Sequence, residues 1–382
     1  MVNTSKVKEI HKCFSQEFDV AIIGGGPSGS AAATVLSMKG YSVAIIERSN
    51  YSRFKIGETL PPKVNPILNN LGIGEVQMQI HIPSFANSSS WDSASLTENN
   101  FLYHPFGNGW HLDRNTFDRE MIGNSISSGS HLFMETNINS LSQNTCGIWS
   151  LNISNPFLNT TIKCKFIIDA SGRVAYLNKK HKGKKICYDK LVAITSVTKN
   201  KPCEKTNYTL IEATEMGWWY CADIPGNKMI CSYFTDGDIY KQNSKIINNY
   251  FKHKLKETNH IKERCKVPSI ISNICSASTY FSTQRHGLNW LAIGDAAMAY
   301  DPLSSSGILR ALKEGTESGE IIHNYFTGDI NSIDKFASTY DAKFKKYLLE
   351  RSNYYNMEKR WPDSIFWKRR RHQQPLSIDS FN

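Results

Sequence analysis

A glycine-rich loop near the amino terminus constrains the fold more than any other feature of this sequence. Residues 18–23 are largely apolar and predict a buried parallel strand. The loop follows at once, and Gly24, Gly26 and Gly29 fit the pattern G-x-G-x-x-G before a helix that ends near Lys39. Glycine is required at these places for a tight turn, for close approach to a pyrophosphate and for packing of the helix on the sheet. We therefore expect a dinucleotide-binding strand, turn and helix.

An acidic residue follows at the distance that this kind of site requires. A second apolar segment, 42–46, ends at Glu47, which is 23 residues after Gly24. A carboxylate there meets the ribose of the adenosine half, and the free N–H groups of the helix start face the phosphates. The residues predicted to bind at this first site are Gly24, Gly26, Pro27, Ser28, Gly29, Glu47 and Arg48.

Two later segments favour FAD over a nicotinamide cofactor. An apolar strand ends at Asp169 and is followed by Gly172, and another leads into Gly294 and Asp295. A nicotinamide domain completes its site within about 150 residues, whereas Asp295 lies more than 260 residues after the first glycine. We expect Asp295 to bind the ribityl hydroxyls of an extended FAD. The alternative is that both segments are structural strand ends.

A loop over 301–309 then enters a helix that runs to about His323. The N–H groups at such a helix start stabilise negative charge on a reduced isoalloxazine ring. Ser306, Gly307 and Ile308 are the residues predicted to do this.

Together with Gly57–Pro62 and Asp113-Arg114, these segments resemble the superfamily of FAD-dependent aromatic monooxygenases, flavin halogenases and geranylgeranyl reductases. The resemblance implies an α/β fold, in which a Rossmann-like FAD-binding domain of the p-hydroxybenzoate hydroxylase type joins an antiparallel β-sheet substrate domain and C-terminal helices. It also places Glu58 and Arg114 near the flavin and its ribityl–phosphate portion, and Ile138 near the adenine. From the residues alone, Arg114 fits a surface salt bridge equally well.

The branch of the superfamily is indicated by a missing residue. Halogenases of this group carry a lysine some thirty residues after the Gly-Glu motif, but no lysine occurs here between Lys63 and Lys163. The motifs at 57–62, 109–114, 217–220, 301–305 and 360–367 are similar to those of flavoproteins that hydroxylate tryptophan during maturation of tryptophan-derived quinone cofactors. The resemblance implies a monooxygenase that hydroxylates an electron-rich aromatic ring through a flavin C4a-hydroperoxide.

Three alternatives stay open beside this expectation. Two are enzymes of the same superfamily: a halogenase and an O2-independent flavin reductase. The third is a flavin-bearing assembly factor for a partner protein. The substrate of the expected monooxygenase is an aromatic small molecule or an aromatic side chain of a protein or peptide, a tryptophan of a partner protein among them.

An aromatic hairpin is the predicted wall of the substrate pocket. Two strands, 217–224 and 228–234, are joined through 225–227. Trp219, Tyr220 and Tyr233 are the residues expected to face flavin and substrate, although filling the core of the sheet is an equally good interpretation. Glu58, His104 and His111 are weak candidates for catalysis, since a lone histidine is more often structural.

The source of electrons is not visible as a second domain. No further strand, glycine loop and helix occurs, so NAD(P)H docks transiently or a separate flavin reductase supplies reduced flavin, with O2 as co-substrate. No cysteine and histidine spacing indicates a metal site.

Domain boundaries follow from the motifs. The FAD-binding domain is expected to be discontinuous, over 16–84, 112–173 and 283–330. A substrate-facing sheet domain would comprise 85–111 and 174–282, and 331–382 would form a helical segment with a basic tail.

The net charge of +11 is concentrated in lysines at 179–185 and in a basic group at 359–371. We expect solvated loop and tail charge, with a docking surface for an acidic partner as the alternative. No nucleic-acid-binding module, secretory signal or transmembrane segment is indicated. Nine scattered cysteines without a CxxC pair predict reduced thiols and a cytoplasmic protein.

Overall fold

The computed structural model describes residues 16–199, 207–243, 246–265, 271 and 273–371. Its first layer is an eight-stranded sheet, whose central strands are parallel. The strands of this sheet are β1 Gln16–Ile23, β2 Val43–Ile46, β8 His131–Phe133, β9 Asn137–Gln143, β10 Trp149–Asn155, β11 Leu158–Asp169, β19 His286–Gly287 and β20 Trp290–Ala292.

A seven-stranded sheet forms the second layer. It is antiparallel except for one parallel pair, in which Ala86–Ser90 lies beside Tyr208–Thr214. Its strands are β5 Ala86–Ser90, β6 Thr97–Asn100, β13 Leu191–Lys199, β14 Tyr208–Thr214, β15 Gly217–Ile224, β16 Lys228–Asp236 and β17 Asn273–Ser276. The predicted aromatic hairpin is confirmed as β15 and β16.

Two small sheets join the layers. One contains β3 Thr59–Leu60, β4 Ile82–Ser84 and β7 Gly109–His111, and the other β12 Lys185–Cys187, β18 Tyr280–Ser282 and β21 Met298–Ala299. The helices are α1 Pro27–Met38, α2 Asn65–Asn70, α3 Glu75–Met78, α4 Arg114–Ser127, α5 Tyr176–Lys180, α6 Gly237–Asn243, α7 Ile247–Lys256, α8 Ile261–Arg264, α9 Gly307–Phe326, α10 Ser332–Met357 and α11 Ile365–Arg371.

Helices α1 and α9 cross closely because small residues meet at the contact. A Cβ at Gly315 would lie 2.3 Å from the carbonyl oxygen of Ser28, and one at Gly319 would lie 2.6 Å from Val35. This approach brings the start of α9 beside the glycine loop, although the two are far apart in sequence. The mixed α/β architecture is the predicted one.

The basic group near the carboxyl terminus is not the solvated charge that the sequence predicts. Arg370 is buried, and its Nη2 donates to Oδ1 of Asp236 at 2.7 Å. Arg369 binds Asp236 and Asp238, and Arg360 binds the buried carboxylate of Glu358. Buried ionised groups require partners, and through Asp236 of β16 the pairs of Arg369 and Arg370 attach the last helix to the second sheet. The rest of the predicted tail, 372–382, lies outside the described residues.

The lysines at 179–185 differ from that group. Lys179, Lys180, Lys182 and Lys184 are exposed on α5 and the turn after it. Among the described helices, none combines the length and the apolar character needed to cross a membrane.

Candidate active site

A cavity of about 880 Å³ lies between the two large sheets. Its walls come from the glycine loop, the turn at 53–59, the segment 170–174, the loop at 300–308 and the inner face of the second sheet. The predicted cofactor and catalytic residues that line it are Gly24, Gly26, Pro27, Ser28, Glu47, Arg48, Glu58, Arg114, Ile138, Gly172, Asp295, Gly307 and Ile308. Segments that are distant in sequence therefore converge on one site.

The glycine loop has the geometry that its sequence predicts. Gly24 has a φ of +104°, and a Cβ there would lie 2.5 Å from the carbonyl oxygen of Ala170. A Cβ at Gly29 would lie 2.0 Å from the carbonyl oxygen of Gly24, so Gly29 serves packing and does not line the cavity. A Cβ at Gly26 would meet no protein atom within 4 Å. Gly26 is thus the position where space is left for a ligand.

Glu47 holds the loop from the end of β2. Its Oε2 accepts from the N–H of Gly25 at 2.8 Å, and its Oε1 accepts from the N–H of Ser49 at 2.7 Å. A carboxylate has further lone pairs, so a ribose hydroxyl can still bind. Tyr51, which the sequence analysis did not select, donates its hydroxyl to the carbonyl of Gly25 at 2.9 Å. No local pattern identifies this contact.

Arg114 shapes the turn that carries Glu58. Its Nη1 donates to the carbonyl of Ile56 at 2.7 Å and to that of Gly57 at 3.1 Å, while its other nitrogens bind Asp118. Lys55, also on the cavity wall, donates to the same Asp118 at 2.7 Å. Both cations therefore form ion pairs with the same buried carboxylate.

Asp169 and Asp295, the acidic residues at the two strand ends that favour FAD, have different roles in the structure. Asp169 is buried, and its carboxylate accepts from the N–H groups of Ser171 and Leu177. It shapes the turn and does not line the cavity, contrary to the prediction, whereas residues 170–174 do line it. Asp295 lines the cavity and accepts from Nη2 of Arg310 at 2.7 Å. Gly294 lies behind it, with a φ of +59° and its N–H bound to Glu314.

The loop before α9 is held by the last long helix. Asp301 lines the cavity, and its Oδ2 accepts from Nε of Arg351 at 3.2 Å and from the hydroxyl of Tyr355 at 2.8 Å. Arg351 also binds the buried Asp189. Ser306 precedes the helix, and its hydroxyl forms a 2.7 Å hydrogen bond with that of Ser304. Ser305 and Gly307 line the cavity, whereas Ser306 does not, contrary to the prediction.

The aromatic hairpin corrects two predicted pocket residues. Trp219 and Tyr233 stack at 4.8 Å on the far face of the sheet, against Phe251 of α7. Side chains alternate along a strand, so Tyr220 faces the cavity and its neighbour Trp219 cannot. The prediction is therefore wrong for Trp219 and Tyr233.

The cavity face carries residues that the prediction omitted. Trp218 and Phe234 stack with 3.9 Å between their ring centroids, and both line the cavity. The strand register places Ala193 beside Phe234, and Cys275 beside Ala193 at the sheet edge. A small residue between larger ones leaves a recess next to an aromatic wall. We call the part of the cavity bounded by Trp218, Phe234, Ala193, Cys275 and Tyr220 the inner chamber.

Glu58 and Tyr220 form a buried polar pair at this chamber. The two side chains are hydrogen-bonded, and Oε2 of Glu58 also accepts from the N–H of Gly57 at 2.9 Å. Burial raises the pKa of Glu58 above its ordinary value. Burial and the nearby carboxyl together raise the pKa of Tyr220 well above its usual range. The pair is therefore able to hold or donate a proton inside an otherwise apolar space.

The two candidate histidines lie outside the cavity wall. His104 is in a surface turn, where its Nδ1 accepts from the N–H of Phe106 at 3.2 Å. His111 is fully buried in β7, and its Nε2 bonds the hydroxyl of Thr209 at 3.0 Å. Burial lowers the pKa of His111 to about 4. The prediction of direct contact with the reacting groups is thus not met by either residue.

These features fit FAD. Open space at Gly26, the N-terminus of α1 behind it and the spare lone pairs of Glu47 suit a pyrophosphate and a ribose. Within the described residues, no group of histidine, cysteine or acidic side chains has a metal-binding arrangement.

The sequence comparisons agree with this geometry. Residues 17–332 match the family described as the FAD binding domain, and the chain therefore belongs to that family. It is an FAD-dependent oxidoreductase of the superfamily that contains the flavin halogenases and aromatic monooxygenases.

One relative and two solved structures are similar to this chain over most of its length. The chain is 25% identical over 366 residues to a putative FAD-dependent oxidoreductase, LodB, of Marinomonas mediterranea, with 93% of this chain and 97% of that protein covered. The fold superimposes on the myxobacterial chondrochloren halogenase CndH with a TM-score of 0.85 at 21% identity, covering 96% of this chain and 88% of that one. It superimposes on the peptidyl tryptophan dihydroxylase QhpG, which is essential for tryptophylquinone cofactor biogenesis, with a TM-score of 0.75 at 19% identity, covering 93% and 78%. At such identities the two structures establish the fold alone.

Proposed function

We propose that the protein is an FAD-dependent monooxygenase that hydroxylates an electron-rich aromatic ring held in the inner chamber. The observation that carries the proposal is the composition of the chamber wall. Trp218 and Phe234 offer a flat apolar surface, and Glu58 with Tyr220 offers a polar group able to hold or donate a proton. The ring C–H becomes C–OH with one oxygen atom of O2, and the other oxygen leaves as water after two electrons and two protons are delivered.

Reduced FAD, when bound, supplies the activation of O2 for this reaction. The residues of the chain would bind the cofactor, orient the substrate ring and shield the reacting groups from water. Stacking against Trp218 would orient the ring, and the apolar wall would exclude water from the reacting groups. The N–H groups at the start of α9, near Gly307 and Ile308, would favour negative charge at the edge of the flavin ring.

The lack of a free lysine at the chamber supports hydroxylation over halogenation. Among the described residues of the cavity wall, the lysine present is Lys55, and it is bound to Asp118. Resemblance to halogenases implies a lysine that carries or orients hypohalous acid, and the segment where it would fall is β5, which has the sequence ANSSS. A halogenase is nevertheless the second candidate, because the fold similarity to CndH is high.

The proposed substrate is an indole or phenol ring, with a tryptophan side chain of a partner polypeptide as the foremost candidate. The fold similarity to QhpG, a peptidyl tryptophan dihydroxylase, supports this choice. Electrons would come from NAD(P)H or from reduced flavin delivered by a separate reductase.

A turnover experiment tests the proposal. The FAD-loaded protein is supplied with NADH, a flavin reductase, ¹⁸O2, chloride and bromide, and either indole or a tryptophan-containing peptide. We expect substrate-dependent O2 uptake and a product heavier by one labelled oxygen. A halogen isotope pattern in the product would favour the second candidate. A product-free reaction with FAD still bound would contradict both and would favour an assembly factor.

A filled chamber provides the control. Ala193 lies between Phe234 and Cys275, so Ala193→Phe would occupy the recess without touching the glycine loop. The variant should bind FAD as the parent does but lose product formation. Unchanged turnover would show that the ring is not held there.

A further inference from the structure

One edge of the second sheet borders the cavity. The strand at this edge is β17, which pairs with β13 on one side and with no other strand among the described residues. Asn273, Cys275 and Ser276 line the cavity. Side chains alternate along a strand, so Ile274 points to the opposite face, where it is 44% exposed. The strand is thus both a wall of the inner chamber and an accessible sheet edge.

The hydrogen bonds of β17 show which of its backbone groups face outwards. The N–H of Ala277 donates to the carbonyl of Leu191 at 2.9 Å. Hydrogen-bonded and non-hydrogen-bonded positions alternate in an antiparallel ladder, so Cys275 is the next residue whose N–H and C=O face β13. Ile274 and Ser276 therefore direct their N–H and C=O away from the sheet. Within the described part of the chain, these outward groups form no backbone hydrogen bond.

The two edges of the second sheet differ in how they are protected. Exposed edges are usually blocked by charged side chains, proline or a bulge. The sequence of β17, NICS, has neither a charge nor a proline, and its register with β13 is regular. At the other edge, β6 carries Glu98 and contributes no residue to the described cavity wall. The edge beside the inner chamber is therefore the one that is open to pairing.

Positive charge lies at one end of this open edge. Nη1 of Arg173 donates to the carbonyl of Ser278, two residues after β17, at 3.0 Å. Lys185 donates to the carbonyl of Arg173, and Asp295 is an acidic partner of Arg173 at 3.7 Å. The exposed lysines on α5 and in the turn that leads to Lys185 form no ion pair with a described residue; they are Lys179, Lys180, Lys182 and Lys184. A chain that passes this end is favoured if it is acidic.

We propose that β17 binds an extended, acidic segment of a partner polypeptide as an added strand, so that an aromatic side chain of this segment enters the inner chamber. The proposal rests on the proposed function in taking an aromatic side chain as the substrate, and it adds how the polypeptide around that side chain is recognised. Opposite residues of paired strands share a face, so the residue beside Cys275 points its side chain towards the chamber. The small side chains of Cys275 and Ala193 leave the way open. Backbone pairing accepts many sequences, and the chamber then selects the ring.

An N-methyl scan of a peptide tests the proposal without turnover. The probe is a peptide of about nine residues, with a central tryptophan, threonines beside it and aspartates at both ends. It is titrated by calorimetry into the FAD-loaded protein without reductant, and one N-methyl group is moved along its backbone. N-methylation at every second position should weaken binding about tenfold or more, and at the intervening positions less than about twofold. A scan without this period of two, or no binding of the unmethylated peptide at millimolar concentration, would overturn the proposal.

A variant of the edge tests the same pairing from the side of the protein. Ile274→Pro removes an outward N–H at a position where an edge strand tolerates proline. Peptide affinity should fall about tenfold, whereas free indole should bind as in the parent because the chamber wall is unchanged. Ile274→Ala is the matched control, since it keeps the N–H and removes only the side chain on the opposite face. Equal weakening of the peptide in both variants, or of indole as much as of the peptide, would overturn the proposal. FAD titration shows whether Ile274→Pro folds, and the N-methyl scan on the parent decides if it does not.

Two further measurements identify the occupant of the edge. A peptide with lysines in place of the aspartates should bind several-fold more weakly at low salt, and equal affinity would contradict an acidic partner. Sedimentation of the parent tests a second copy of this chain as the occupant. A dimer that Ile274→Pro abolishes would overturn the assignment to a partner polypeptide.

The outcomes are distinct from those of the turnover experiment. A peptide that shows the period of two but gives no oxygenated product would contradict the monooxygenase and leave strand pairing at β17 intact. A peptide that is hydroxylated without the period of two would contradict the pairing alone.

Discussion

The hydroxyl of Tyr355 donates a 2.8 Å hydrogen bond to Oδ2 of Asp301 and accepts a 3.1 Å hydrogen bond from Nε1 of Trp218. A residue of α10 therefore joins the loop beside the flavin-binding cavity to the aromatic wall of the inner chamber. Arg351, one turn earlier, binds the same carboxylate. The long C-terminal helix is in this way part of the site, although no motif in it indicates a contact with FAD or substrate.

We expect Tyr355→Phe to weaken substrate binding as well as stability. Loss of a hydrogen bond to a buried carboxylate costs about 2 kcal/mol, and Trp218 loses the acceptor that orients its ring. The free energy of unfolding should fall by that amount, and indole binding should weaken several-fold. Tyr340→Phe is the control on the same helix, because Tyr340 is equally buried and donates to the carbonyl of Ala292 at 3.1 Å. Identical losses of indole affinity in both variants would contradict a specific role of Tyr355.

Substitutions at two glycines of the first loop should affect folding and cofactor binding separately. At Gly26 a Cβ meets no protein atom, so Gly26→Ala should leave the free energy of unfolding of the apoprotein within about 0.5 kcal/mol. The methyl group would occupy space needed by the pyrophosphate, and FAD affinity should fall by about 100-fold or more. Gly29→Ala should instead destabilise the apoprotein by several kcal/mol, since its Cβ would lie 2.0 Å from a carbonyl oxygen.

Urea unfolding of the apoproteins and FAD titration measure the two effects. Normal FAD binding by Gly26→Ala would show that the cofactor does not approach the loop at this residue.

The cofactor site could be predicted from sequence because the ligand itself fixes the residues. A pyrophosphate needs glycine and a helix start at a set spacing, and Gly24, Gly26 and Glu47 are brought together as expected. The contacts that support them could not be predicted. Tyr51 on Gly25 and Tyr355 on Asp301 depend on tertiary packing, and the second pair is separated by 54 residues.

The substrate wall was less predictable for a different physical reason. All eight residues of β15 are buried, so no alternation of polar and apolar residues shows which face is the inner one. Alternation of side chains alone excludes Trp219 and Tyr220 from sharing a face, and the sequence could have provided that much. The choice of Trp218 and Tyr220 required the position of the second sheet relative to the cavity.

The charged residues near the carboxyl terminus provide a test of stability. Arg370 and Asp236 are both buried and form a 2.7 Å ion pair. Arg370→Met would leave the carboxylate in an apolar environment with Arg369 as its remaining partner, so the free energy of unfolding should fall by about 3 kcal/mol. Lys368→Met, on the same helix but half exposed, should change it by less than about 0.5 kcal/mol. Equal, small effects in urea unfolding would show that the arginine contributes no more than surface charge.

The lowered pKa of His111 predicts how the free energy of unfolding changes as the pH falls. Burial lowers its pKa from the ordinary 6.5 to about 4, so below pH 6.5 the unfolded chain binds a proton that the folded chain does not. The stability from the neutral ring is therefore fully present above pH 6.5 and is lost as the pH falls towards 4, by up to about 3 kcal/mol. His81, whose pKa is also lowered to about 4 by burial, acts in the same direction. His111→Gln keeps a hydrogen-bonding group for Thr209 but removes the titration, so the gap in unfolding free energy between the parent and this variant should shrink as the pH falls from 7.5 to 4.5. Urea unfolding at half-unit intervals measures it, and a gap that stays constant over this range would contradict a buried, neutral His111.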